Sequence, residues 1–181
     1  MEVYHGRPQD DSQRTEAELK TYDFLDKLGI KYDRVDHEHA ENMEACADIE
    51  KALETEVCKN LFLCNRQKTV YYLLLMPGSK PFKTKELSSQ INAARLSFAS
   101  GEDMEKILGV TPGSVTVLGL INDSARSVQL LIDKDLTKQE YIGCHPCMNT
   151  STLKIKTDDI LKKILPALKH RPTYVRLTGK D

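Results

Sequence analysis

Apolar and polar positions recur with two different periods along the chain, and the change of period divides it into elements. Within residues 15–29, Ala17, Leu19, Tyr22, Phe24, Leu25 and Leu28 fall near helical spacing, and Gly29 stands where a helix C-cap belongs. Residues 30–35 alternate Ile30, Tyr32 and Val35 with charged neighbours and predict a short strand. Residues 42–54 predict a second helix, with Met43, Cys46, Ala47, Ile49 and Leu53 on its apolar stripe. Two runs, 57–64 and 70–76, are rich in β-branched, aromatic and leucyl residues and predict a hairpin of largely buried strands around Asn65-Arg66-Gln67-Lys68.

Downstream, residues 83–92 predict a short helix and 96–99 a brief strand. Ser100 opens a capping-box helix that stops at Gly109. Residues 115–120 and 127–132 predict strands around a turn at Asn122-Asp123-Ser124, and 141–144 and 152–155 predict two more. A final amphipathic helix, 158–169, carries Pro166 in its second half, and 174–177 closes as a strand. Helices interleave with strands irregularly, which argues against a doubly wound parallel sheet. The pattern predicts an α+β fold, one domain over residues 1–181, with a mixed, curved or barrel-like sheet flanked by helices.

Composition adds compartment and charge. No apolar run reaches the roughly 18 to 20 residues of a membrane span, and residues 1–13 are polar and acidic, unlike a secretory leader. The five cysteines are an odd count, with Cys58 and Cys64 inside an expected strand, so reduced thiols and a soluble, cytoplasmic protein are expected. The net charge of -1 hides an asymmetry: residues 1–56 hold 16 acidic and 7 basic side chains, residues 57–181 hold 11 and 19. A positive face near Lys59, suited to a phosphate-bearing ligand, fits that split; so does solvated charge of both signs.

Candidate chemistry falls in four places. Lys59 and Asn60 interrupt an apolar run, and a lysine there must snorkel, pair or face a cavity, because an unpaired buried ammonium loses its hydration. A lysine on the solvent face of an edge strand satisfies the same pattern. Asp36-His37-Glu38-His39 invites a metal reading, yet no further ligand lies at a matching distance in the sequence. The loop from Gly109 to Gly113, with Pro112 between, reads first as a turn; it also lets main-chain N–H groups approach a ligand and hold an oxyanion. Gly143-Cys144-His145-Pro146-Cys147-Met148-Asn149-Thr150 has the Cys-x-x-Cys spacing of thiol redox chemistry, but its flanks predict loop and strand where such chemistry uses a helix start. His145 and Asn149 in that loop suit hydrogen bonding to a polar substrate or to the turn itself.

Three of these segments together resemble one family. Lys59-Asn60-Leu61-Phe62-Leu63, the G-x-x-P-G loop with its extension to Gly119-Leu120-Ile121-Asn122, and Gly143-x-His145-Pro146-x-x-Asn149-Thr150 are similar to the free-standing editing deacylases of mischarged proline tRNA. These are the YbaK/ProX type, related to the insertion domain of bacterial prolyl-tRNA synthetases. The resemblance runs from about Ala17 to Leu177 and implies hydrolysis of the ester joining a wrong amino acid to the terminal adenosine, without metal or cofactor. It implies catalytic roles for Lys59, Asn60, Gly113, Ser114 and His145: Lys59 anchoring phosphate or carbonyl, the Gly113 and Ser114 N–H groups polarising the ester, Asn60 and His145 positioning substrate or water. Gly109, Pro112, Gly143, Asn149 and Thr150 are the implied substrate-binding positions. The implied partner is the acceptor end of mischarged proline tRNA, with prolyl-tRNA synthetase as a further one. Lys59-Asn60 and Pro112 resemble the alanine-specific branch; the alternatives are a Cys-tRNA(Pro) deacylase or a non-catalytic tRNA-binding module on the same fold. The segment from His37 to Met43 departs from the family's usual His-Pro and Thr-rich turn.

Overall fold

A computed structural model describes residues 1–180, the Met43 side chain lying outside the described set. In chain order the strands are β1 (Tyr4–His5), β2 (Tyr32–Asp36), β3 (Lys59–Asn65), β4 (Tyr71–Met76), β5 (Leu96–Phe98), β6 (Val128–Asp133), β7 (Tyr141–Cys144), β8 (Ser151–Lys156) and β9 (Thr173–Val175). The α-helical segments are α1 (Glu16–Lys27), α2 (Met43–Leu53), α3 (Thr84–Gln90), α4 (Gly101–Asp103), α5 (Thr157–Asp159) and α6 (Leu165–Leu168). They build the expected α+β fold with two sheets: one in the order β1-β2-β8-β7, the other β5-β3-β4-β6-β9. The first is antiparallel throughout; in the second β4, β6 and β9 run parallel, so that sheet is mixed.

Burial on both faces explains the continuous apolar runs of β3 and β4. Phe62, Cys64, Leu73 and Leu75 point into the main core shared with Ile142, Leu153 and Ile155 of the other sheet. Their neighbours Leu63, Leu74 and Met76 turn the other way, against Leu87 of α3. With no solvent face on these strands, alternation of apolar and polar residues disappears. Helix α1 closes the main core with Tyr22 and Leu25, and its start is fixed by a capping box in which Thr15 and Glu18 satisfy each other's N–H groups.

One contact joins the two sheets beside the cleft. Val57, just ahead of β3, pairs in parallel with Gly143 of β7. Cys58 N–H donates to the Gly143 carbonyl and Gly143 N–H to the Glu56 carbonyl, both at 3.1 Å. A Cβ on Gly143 would lie 3.2 Å from the Glu56 oxygen, so the approach depends on glycine.

One expected strand is absent, and two helices keep their expected spans with a different winding. Residues 115–120 are not a strand: Val117–Asn122 is a 3-10 helix, begun by the Thr116 hydroxyl accepting from Leu118 N–H. Its apolar run reflects burial of Val117, Leu118 and Leu120, which an apolar segment achieves in either conformation. The helix after Ser100 continues beyond α4 as a π-helical turn, Met104–Leu108. The last helix likewise passes from α5 through a π-helical stretch, Ile160–Ile164, into α6. Pro166 follows that stretch as the second residue of α6.

Candidate active site

A cleft of about 1280 Å³ opens where β3 leaves its own sheet to reach β7. Its walls are residues 58–62, the Cys46, Ala47 and Glu50 face of α2, the Gly78-Ser79 turn, Gly113 and Val115, and Cys144 with His145 at the end of β7. Of the positions singled out in the sequence, Lys59, Asn60, Gly113 and His145 line this cleft together.

Lys59 is half-buried, and its ammonium donates to the Lys80 carbonyl, which gives the charge a partner at the cleft wall. Asn60 is engaged by the protein itself. Its Oδ1 accepts from Val117 N–H at 2.9 Å, and its Nδ2 donates to the carbonyl and the thiol of Cys58. The side chain thus fastens the 3-10 helix to β3.

In the G-x-x-P-G loop the two expected donors become one. Ser114 N–H closes a turn onto the Thr111 carbonyl at 3.0 Å, and the Ser114 hydroxyl accepts from Asn149 N–H at 3.0 Å. Gly113 N–H has no partner among the described residues. Its residue has φ +89°, and a Cβ there would meet the side chains of Asn149 and His39 at 3.4 Å, so glycine is required by conformation. Gly109 ends the π-helical turn at φ +67°, with Asn122 donating to the Leu108 carbonyl, and Pro112 packs beside Gly101; neither lines the cleft. Gly143 serves the junction between the sheets.

His145 donates Nδ1–H to the Ser151 carbonyl at 2.8 Å, which leaves Nε2 carrying the lone pair. Burial lowers its pKa below the usual histidine value, against the opposing pull of that carbonyl and with help from nearby His37 and His39. A neutral imidazole whose Nε2 has no partner among the described residues therefore stands in the cleft at neutral pH. Asn149 and Thr150 act one layer behind. Asn149 pairs its amide with the peptide of Ala40, and the Thr150 carbonyl accepts from His37 N–H, so the β7–β8 loop holds residues 37–40 in place.

The remaining sequence candidates are engaged within the fold. His37 uses both ring nitrogens on protein partners, the Glu38 carbonyl and the Thr152 hydroxyl. Among the described residues no group of three or more His, Cys, Asp or Glu side chains is arranged to hold a metal ion. Burial pushes the Cys58 thiol up to about 12 and Cys147 to about 11, and raises Cys144 well above the usual range, so these are thiols at neutral pH. The charged lining is mixed, Glu41, Glu50 and Glu56 against Lys51 and Lys59, so the cleft is not the positive trough that the charge asymmetry suggested. Sequence reasoning missed the α2 wall, Glu56, Gly78 and Phe98. Gly78 alone left a signal: a Cβ there would fall 2.2 Å from the Val57 carbonyl oxygen, but Pro77-Gly78 reads as an ordinary turn.

The chain carries an aminoacyl-tRNA editing domain: residues 37–163 match the family described as "Aminoacyl-tRNA editing domain". The chain is 31% identical over 143 residues to "Prolyl-tRNA editing protein ProX" of Acetoanaerobium sticklandii, covering 79% of this chain and 87% of that protein. It is 32% identical over 155 residues to "Prolyl-tRNA synthetase associated domain-containing protein 1" of Danio rerio, covering 84% and 83%. A crystal structure described as a candidate trans-editing enzyme for prolyl tRNA synthetase shares the fold, with a TM-score of 0.66 at 14% identity, over 91% of this chain and 99% of that one. The chain belongs to the prolyl-tRNA editing family.

Proposed function

We propose that this protein is a trans-editing hydrolase that cleaves the aminoacyl ester of mischarged Ala-tRNA(Pro). Editing of mischarged proline tRNA follows from the family; alanine as the amino acid is the finer reading, supported by the resemblance of Lys59-Asn60 and Pro112 to the alanine-specific branch. The need for such an enzyme is physical. A site built for proline rejects a smaller amino acid weakly, by about 1 to 3 kcal/mol per missing methylene, so a second site must remove the product.

The observation that carries the reading is the convergence of an unpartnered Gly113 N–H, a neutral His145 with Nε2 free, and Lys59 on one cleft. In this mechanism His145 Nε2 takes a proton from water as the hydroxide attacks the ester carbonyl. The Gly113 N–H stabilises the developing oxyanion, and Lys59 turns from the Lys80 carbonyl to the terminal nucleotide. The proton on Nε2 then passes to the departing ribose oxygen. Asn60, Ser114, Asn149 and Thr150 hold these groups in place.

The test compares hydrolysis of Ala-tRNA(Pro), Cys-tRNA(Pro) and Pro-tRNA(Pro), with Lys59→Ala alongside. Selective loss of the alanyl ester, abolished by Lys59→Ala and unaffected by EDTA, is the expected result. Preference for the cysteinyl ester overturns the substrate assignment, and three intact esters make the protein a tRNA-binding module.

A further inference from the structure

Phe98 stands outside the chemistry above. It is 60% exposed at the end of β5, yet it lines the cleft. Its ring is braced edge-on by Phe82, with centroids 6.0 Å apart and planes at 67°. Phe98 lies opposite Leu63 in the β3–β5 register, and alternation along β3 puts Leu61 and Lys59 on the same side. An aromatic ring, a leucine and an ammonium therefore follow one another along one rim of the cleft.

The strand beneath that rim has an open edge. β5 pairs with β3 only across Leu63, Cys64 and Asn65, with one further bond from Ala99 N–H to the Phe62 carbonyl. Asn65 N–H donates to the Val70 carbonyl, so odd-numbered residues of β3 bond to β4 and even-numbered ones face the β5 side. Past the end of β5 the Asn60 carbonyl and the Phe62 N–H thus turn to the cleft side with no partner among the described residues, until Cys58 N–H meets Gly143. An acceptor and a donor two residues apart on a strand edge complement adenine, whose amino group donates and whose adjacent ring nitrogen accepts.

We propose that Phe98 and this open edge form the subsite for the 3′-terminal adenine of the substrate. The base stacks on the Phe98 ring, its amino group donates to the Asn60 carbonyl, and a ring nitrogen accepts from Phe62 N–H. Lys59, next along the rim, meets the sugar-phosphate chain leading to that base. The assignment deepens the editing reading and rests on it. It also gives a reason for leaving a large aromatic side chain in water, since base-aromatic stacking recognises single-stranded ends.

The experiment has two arms. An uncharged acceptor minihelix with 2-aminopurine at its 3′ end is titrated with wild type, Phe98→Ala and Phe98→Tyr, and its fluorescence is followed. Hydrolysis of an alanyl minihelix ending in adenosine is measured with the same three proteins. Wild type and Phe98→Tyr quench the probe, whereas Phe98→Ala loses the quenching and raises KM about 10- to 100-fold with kcat unchanged. Quenching and KM in Phe98→Ala equal to wild type overturn the subsite. Quenching that follows Phe98 in a protein that hydrolyses no ester supports the subsite and overturns the hydrolase reading instead.

Discussion

Lys80 joins the stability of the fold to the geometry of the cleft, and removing its charge is predicted to be costly. Its ammonium donates to Asp133 at 2.7 Å, to Asp135 at 2.8 Å and to the Leu177 carbonyl at 2.6 Å, while its own carbonyl receives Lys59. Asp133 is only 1% exposed, and its other oxygen is held by Asp135 N–H. Lys80→Met keeps the stem and strands the Asp133 carboxylate. Breaking one side of a buried pair costs about 3 to 5 kcal/mol, and the 15% exposure of Lys80 favours the lower end. With a urea m-value of about 2 kcal/mol/M, the unfolding midpoint falls by about 1.5 M. The internal control is Lys138→Met, which removes a partner of the same Asp135 where the two side chains are 77% and 50% exposed; its loss is within about 0.5 kcal/mol. Equal midpoint shifts for the two variants would refute the argument that burial of Asp133 sets the cost.

Gly143→Ala forces a Cβ to 3.2 Å from the Glu56 carbonyl oxygen and lowers stability by about 1 to 3 kcal/mol; an unchanged thermal midpoint would contradict the close approach of the two sheets. Burial would raise the pKa of Asp36, but Arg14 and Arg34 outweigh it and hold the carboxyl down at about 2. The stability from this group is present above its unfolded value near 3.8 and is lost as pH falls through about 2. Discounted for the one-third exposure of Asp36, it amounts to about 1 to 2 kcal/mol, and acid titration of Asp36→Asn shows a correspondingly shallower loss. The depressed pKa of His145 places the acid limb of kcat/KM for ester hydrolysis below pH 6.5, and a limb above that value would remove the imidazole from the base role.

Where burial and local turn chemistry agree, the sequence announces the structure. The β3–β4 hairpin and the Ser100 cap follow from nearest neighbours, and the structure has both. Residues 115–120 show the limit. Their apolar run satisfies a strand pattern, but the amide of Asn60, 57 positions away, captures Val117 N–H and favours a 3-10 helix. The site divides in the same way. Lys59 and His145 are conspicuous as polar side chains in apolar settings, so the sequence exposes them. Which N–H group of the G-x-x-P-G loop stays free depends on Ser114 closing a turn and on Asn149 bonding across from β8's approach loop, and the sequence gives no sign of either. Phe98 is equally silent, since a lone aromatic in a short strand predicts burial.

Much of what the cleft offers a ligand comes from peptide groups: the Gly113 N–H, the Phe62 N–H and the Asn60 carbonyl. Substitution of a side chain alters such groups only by moving the chain that carries them. A site of this composition is inherited through chain path, so it can persist while side chains drift. On the proposed mechanism, selectivity among amino acids falls to side chains lining the same cleft, Cys58, Val115 and Cys144 among them.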